Sequence, residues 1–334
     1  MKKSKIQLLS TKIPIILAIL IYLLFYLIRL EQGGWDIELD LFPTLRENFS
    51  SKIDSLLPSP QAELLSGILL GEKKDLPPDL RLSLRDTSTL HIVVVSGQNL
   101  SLLGGFFLAL SPLIKKKIAI FLCFLAIIFY TLLTGGQIPV LRASIMVSLA
   151  LAAQVLGRQK DGIWVLIITA SMMLLVNPLW IKDLSFQLSF LATIGVVVVA
   201  PLFLQHLKFL PIIGQDLAIT TGAQLMVMPV IIQNFHQLSL VSIFTNLLVG
   251  WTVIFIMILG GVLLTASFIW EGLAWLISLC TLSLLTYFIY IVDFFSSLPF
   301  AWEYIGEKHW IVWVGYYLIL GGLLIGLNKL RLKI

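Results

Sequence analysis

Long stretches without a charged residue recur along almost the whole chain, at residues 13–28, 92–114, 118–137, 143–157, 162–181, 184–205, 217–235, 237–270, 272–292 and 310–328. Most are close to the roughly 20 apolar residues that cross a bilayer as a helix. In hydrocarbon every backbone polar group must be satisfied within the segment, so a chain built of such runs folds as helices. Charged residues make up only 12% of the 334, about half the share of a soluble domain, which excludes an ordinary water-soluble fold. The expected class is an all-α polytopic membrane protein with about ten transmembrane or re-entrant helices, some broken at Gly or Pro.

Basic residues orient the bundle, because they are retained on the cytoplasmic side. Lys2, Lys3, Lys5 and Lys12, then Lys115, Lys116 and Lys117, Arg158 with Lys160, Lys208, and finally Lys329, Arg331 and Lys333 fall on one side after ten crossings. Both termini are then cytoplasmic, and Lys182 and Lys308 are the main cations of the outer connections. Residues 1–30 read as a cytoplasmic tail and a retained signal-anchor helix, since no small-residue cleavage site follows the first apolar run. Residues 31–90 form a short acidic extracytoplasmic segment, and residues 91–334 form the transmembrane domain. Between Glu31 and His91 there are eleven acidic and six basic residues. The apolar spacing at 45–57 and 61–70 predicts short helices lying on the membrane surface. A solvated connector is the alternative there.

Polar residues inside these runs need partners or a wet cavity, since an unpaired polar group in hydrocarbon costs several kcal/mol, on the order of 2–7. The first such cluster is His91-Ile-Val-Val-Val-Ser-Gly-Gln-Asn99, with His91, Ser96, Gly97, Gln98 and Asn99 in otherwise apolar sequence. The second, Leu133-Thr-Gly-Gly-Gln-Ile-Pro-Val-Leu-Arg-Ala143, places Pro139 at a helix start. Its Arg142 either snorkels to the outer interface or guards an anion path. In the third, Asp183 to Phe190, Ser185 and Ser189 share a face and Gln187 lies nearly opposite, so the helix must be enclosed or line a groove. The serines are alternatively packing residues, and Asp183 pairs with Lys182. The fourth holds Gln224, Pro229, Gln233 to Gln237 and Asn246, and it predicts a broken or re-entrant helix at Pro229.

Cys123 and Cys280 lie in apolar spans and suggest neither disulfide nor metal site. His91, His206, His236 and His309 lack zinc-ligand spacing. Without a Walker lysine loop, a metal set or a nucleophile–base pair, no catalytic residue, cofactor or metal is expected, and energy must come from a partner or an ion gradient.

The ordered segments GILLG (67–71), HIVVVSGQN (91–99), LTG followed by PVLRA (133–143), LGR (156–158), NP (177–178), DLSFQLSFLA (183–192), AQLMVMP (223–229) and LSLVSIFTNLLV (238–249) resemble the membrane domain of ComEC-type competence proteins over about two-thirds of the chain. That resemblance implies an inner-membrane channel importing single-stranded DNA during natural transformation, with a separate DNA receptor, nuclease and cytoplasmic translocating ATPase as partners, and a homo-oligomer as one possible state. Many relatives have a second histidine at the position of Asn99. Full-length relatives also carry an OB-like domain and a metallo-β-lactamase-like domain; the acidic segment here is short for the first, and residues after Lys329 leave no room for the second.

The DNA path expected from the chemistry of a polyanion comprises His91, Ser96, Gly97, Gln98, Asn99, Arg142, Gln187, Gln224 and Asn246, with Lys115, Lys116, Lys117 and Arg158 at the cytoplasmic exit. Ser96 to Asn99 is expected to interrupt a helix and present N–H groups to the strand. A secondary transporter or flippase of another anionic solute or lipid is the alternative; Asp293, the one carboxylate deep in an apolar run, either serves proton coupling there or, as the better fit, lies near the outer end of its helix. An intramembrane hydrolase using His91 and Ser96 is a third and poorer fit, because their spacing puts them on different helix faces.

Overall fold

The computed structural model describes residues 17, 19–35, 39–72, 76–93, 97–157, 161–207, 209–210 and 213–331. Among them the chain is helical almost throughout. In chain order the helices are α1 (19–31), α2 (Pro43–Leu56), α3 (Gln61–Leu70), α4 (Pro78–Asp86), α5 (Leu90–Val93), α6 (Gly97–Ala109), α7 (Lys116–Leu133), α8 (Ile138–Val155) and α9 (Gly162–Val176). They continue as α10 (Leu184–Leu204), α11 (Ile213–Phe235), α12 (Ser242–Ile269), α13 (Glu271–Ser296) and α14 (Trp310–Arg331). Six of these, α7, α8, α10, α11, α12 and α13, are long and apolar enough to cross a bilayer. Among the described residues every uncharged run of the sequence contains helix, but α6 and α9, with 13 and 15 residues, are shorter than a full crossing.

Local chemistry sets many of the ends. Asp161 accepts from the backbone N–H groups of Ile163 and Trp164 at 2.9 and 3.3 Å and starts α9, as an N-cap carboxylate does. Asn177 ends α9 and accepts from Leu179 N–H at 3.0 Å, starting a short 3-10 turn at Pro178–Lys182. Asp183 accepts from Phe186 N–H at 3.0 Å. It therefore caps α10, where a pairing with Lys182 was expected. Helix α8 starts at Ile138 with Pro139 in its first turn, so the run that looked short at residues 143–157 is an 18-residue helix that contains Arg142.

Among the described residues, three apolar cores hold helices α2 to α10, α12 and α13. The largest joins α2, α3, α4 and α5 to α12 and α13 around Ile53, Leu64, Leu65, Ile68, Ile256 and Phe288. A second, around Leu100, Cys123, Ile127 and Val140, joins α6, α7 and α8. A third, around Leu166, Met173, Phe186 and Phe190, joins α8, α9 and α10. Residues 61–70, whose spacing predicts a helix on the membrane surface, instead form a helix inside the protein. Eight of the ten residues of α3 are buried, and α12 comes so close that a Cβ on Gly260 would stand 2.7 Å from Leu65. Helix α3 is apolar on nearly every side, with Ala62, Leu64, Leu65, Ile68, Leu69 and Leu70 all inside, and a helix of that kind belongs in an interior.

Pro229 also departs from expectation, since α11 runs through it for 23 residues without a break. Proline removes the N–H that would bond the carbonyl four residues earlier, that of Leu225. The Tyr316 hydroxyl of α14 donates to that carbonyl at 2.9 Å, and Tyr317 donates to the next one, Met226, at the same distance. The partner helix thus supplies what the proline removes. Helices α10 and α11 cross at Gly195 and Gly222, where a Cβ on either would collide with the backbone of the other. Helix α10 takes a π-helical turn at Gly195–Val199 there. A two-stranded antiparallel ribbon, β1 (Gln237–Ser239) with β2 (Trp302–Tyr304), ties the α11–α12 connection to the α13–α14 connection.

Candidate functional site

The last carbonyls of a helix have no partner within it. In α3 they point into the protein, and side chains from two other motifs, together with Tyr130 of α7, close on them. Asn99 Nδ2 donates to the Ile68 carbonyl at 2.9 Å, the Tyr130 hydroxyl to Leu69 at 2.9 Å, and Gln137 Nε2 to Gly71 at 3.0 Å. Asn99 also hydrogen-bonds Tyr130. Gly71 makes this end possible, since it adopts the left-handed conformation (φ 79°) that lets its N–H return to the Gly67 carbonyl. GILLG, HIVVVSGQN and LTGGQ therefore meet at one point. Asn99 is fully buried in this arrangement.

Arg142 lies beside that point. Its Nη2 is 3.4 Å from where a Cβ on Gly97 would stand, two residues before Asn99. Its Nη1 donates to the Ser189 carbonyl of α10 at 2.9 Å, a carbonyl that also accepts from the Thr193 hydroxyl at 2.9 Å. The guanidinium Nε and the Ser189 Oγ are both buried without a hydrogen-bond partner. Of the two roles expected for Arg142, snorkelling to an interface does not describe this geometry: the side chain joins α6, α8 and α10.

The other expected residues are dispersed. His91 is exposed and its Nδ1 lies 2.8 Å from the Ser88 carbonyl. Gln187 Nε2 donates to the Ile181 carbonyl at 3.0 Å, across the start of its own helix. Gln224 is half-buried on α11, and Asn246 on α12 has a buried Oδ1 without a hydrogen-bond partner. Lys115, Lys116 and Lys117 are exposed at the α6–α7 turn. Ser96, the side chain of Gln98, and Arg158 lie outside the described residues, and so does the expected helix interruption at Ser96. Ser185 is exposed while Phe186 and Phe190 form the buried face of α10. Asp293 lies, exposed, in the last turn of α13.

Tyr130 and Gln137 were not singled out from the sequence. Gln137 follows the Gly135-Gly136 pair, whose φ values of 73° and 61° make the turn that aims it at α3; the glycine pair was the available signal. Tyr130 had none, being one aromatic residue in an apolar helix.

Outside the bilayer-length helices, Arg46 ties this end of the molecule together. It pairs with Asp40 at 2.7 Å and with Glu72 at 3.5 Å, and its Nη1 donates to the Leu133 carbonyl at 3.2 Å. The hydrogen bond from Arg46 holds the Asp40 carboxyl below its usual range and raises Arg46 in turn. Among the described residues no three His, Cys, Asp or Glu side chains stand close enough to hold a metal ion.

Six apolar helices of crossing length packed around buried polar side chains define an α-helical polytopic membrane protein. A family model described as Competence protein matches residues 68–330. The chain belongs to that family, and over those residues it is a ComEC-type competence membrane domain. It is 27% identical to ComE operon protein 3 of Bacillus subtilis (strain 168) over 207 residues, 61% of this chain and 26% of that protein. It is also 27% identical to the uncharacterized protein YcaI of Escherichia coli (strain K12) over 299 residues, 83% of this chain and 38% of that protein. An uncharacterized protein of Aquifex aeolicus (strain VF5) is 32% identical over 133 residues, 39% of this chain and 32% of that protein. The chain thus spans about a quarter to two fifths of the length of these curated relatives. No solved structure matches it.

Proposed function

We propose that this domain forms the membrane passage through which single-stranded DNA enters the cytoplasm during competence, in the cytoplasmic membrane and with both termini cytoplasmic. Membership of the competence family supports the role in DNA uptake. The observation that carries the reading at the residue level is the Arg142 guanidinium, held inside a membrane protein with its Nε buried and unpartnered beside Gly97 and Ser189. A permanent cation there is costly unless its donors are used, and a phosphodiester oxygen is an acceptor of the right charge. Gly97, Asn99 and Arg142 then form the narrow part of the path, Gln187, Gln224 and Asn246 lie farther along it, and Lys115, Lys116 and Lys117 with Arg158 draw the strand out.

On this reading the domain does no chemistry on the strand, takes no cofactor, and works with a separate receptor, nuclease and ATPase. The test is import of labelled DNA by a deletion strain carrying either the wild-type gene or an empty vector. Import at the normal rate without the protein would refute the role and favour transport of another anionic solute or lipid.

A further inference from the structure

The bonds at the end of α3 all run between two separately packed bodies. One is the core of α2 to α5 with α12 and α13, and the other is the core of α6, α7 and α8. Apart from Leu133, the buried apolar side chains of each body pack within it, and helix contacts across the boundary are sparse. Besides Leu133 and a ring contact between Phe42 and Phe129, what joins them is polar: Asn99, Tyr130 and Gln137 donating to α3, and Arg46 of the first body donating to the Leu133 carbonyl of the second. Such bonds are few and can be replaced by oxygens of a bound strand, whereas separating α3 from α12 would break the packing of the fully buried Leu64, Leu65 and Leu263, which nothing replaces. Of the two boundaries, this seam opens at lower cost.

All three side chains at the α3 end act as donors, and what they hold is a row of carbonyl oxygens at the negative end of a helix dipole. We infer that the seam is the gate of the passage, and that the α3 carboxyl end occupies, in the closed protein, the place taken by phosphodiester oxygens of the strand in the open one. Asn99 Nδ2, Tyr130 Oη and Gln137 Nε2 exchange one set of anionic or dipolar oxygens for another, next to Arg142, so opening leaves no donor unpaired. The inference rests on the DNA-import reading and adds where the path opens and which groups receive the strand.

Two tethers test the gate, both in the full chain with Cys123→Ala and Cys280→Ala. Phe42 and Phe129 face each other across the seam with ring centroids 5.9 Å apart, so Phe42→Cys with Phe129→Cys is linked by a short reducible bis-thiosulfonate. Trp251 and Tyr287, at 5.8 Å, lie within one body and take the same linker as the control. The seam tether is expected to lower uptake of labelled DNA at least ten-fold, reversed by reductant, while the control tether leaves it unchanged. Full linkage of the seam pair, measured by loss of free thiols, with unchanged uptake would overturn the gate; so would equal inhibition by both tethers. Gln137→Leu tests the donor role: a mere latch, once weakened, leaves uptake equal or higher, whereas a donor to the strand lowers it several-fold at equal membrane level. Import in the deletion strain would defeat the DNA reading itself, and import through the linked seam would defeat this inference alone.

Discussion

Arg142 Nη1 donates to the backbone carbonyl of Ser189 at 2.9 Å, joining α8 to α10 through a bond that uses one of five guanidinium N–H donors. The side chain thus serves as a strut on one side and keeps donors available on the other.

Both roles predict that Arg142→Ala lowers DNA uptake at least ten-fold while immunoblotting finds the protein in the membrane. Arg142→Lys should not restore it, because an ammonium lacks the planar fork that holds the Ser189 carbonyl and faces a second acceptor at once. Full uptake in either variant would remove Arg142 from the path.

Tyr316→Phe leaves the half-buried Leu225 carbonyl without its donor, at a cost of roughly 1 kcal/mol. Restoring the backbone N–H with Pro229→Ala should reduce that cost, because the carbonyl regains a helical partner. Melting temperatures of the two single variants and the double variant in detergent give the coupling. Additive losses would mean that the hydroxyl does not compensate for the proline.

At the α10–α11 crossing, Gly222→Ala puts a methyl 2.8 Å from the Gly195 carbonyl oxygen and 2.9 Å from the Ala200 nitrogen. Both are backbone atoms, so the helices must part, at a cost of about 1–3 kcal/mol. Gly250→Ala, with nothing within 4 Å of the new methyl, should be neutral or slightly stabilising. Equal thermal stability of the two variants would show that the crossing is not tightly packed.

Asp40 supplies a pH dependence. Its carboxyl is held below the usual range by Arg46, so its contribution is present above the unfolded carboxylate value of about 3.9 and is lost as pH falls through the folded one. Asp40→Asn should therefore flatten the acid limb of stability below about pH 5 and change stability by about 1 kcal/mol or less at neutral pH, since Asp40 is 36% exposed. An acid limb identical to that of the wild type would place the titrating group elsewhere.

Much of the helix architecture was legible because its signals are local. Uncharged runs mark the helices, Asp161, Asn177 and Asp183 sit where caps belong, and Pro139 opens a helix as its fixed φ favours. The errors came where a local signal has more than one tertiary outcome. Spacing alone does not distinguish α3 on a membrane surface from α3 inside a core, and Pro229 breaks a helix only if nothing takes up the freed carbonyl. Asn99 and Arg142 were recognisable as polar residues in apolar sequence, but their partners Ile68 and Ser189 lie 31 and 47 residues away.

By itself, then, the order of residues determined a helical membrane chain, the positions of its helices and the motifs that carry family membership. Only the tertiary structure decided that three of those motifs meet on the carbonyl end of α3 and that Tyr130 and Tyr316 complete what Asn99 and Pro229 leave open. The physical reason is range. Helix formation and capping are settled within a few residues, whereas the partner of a buried polar group is chosen by which helices pack together.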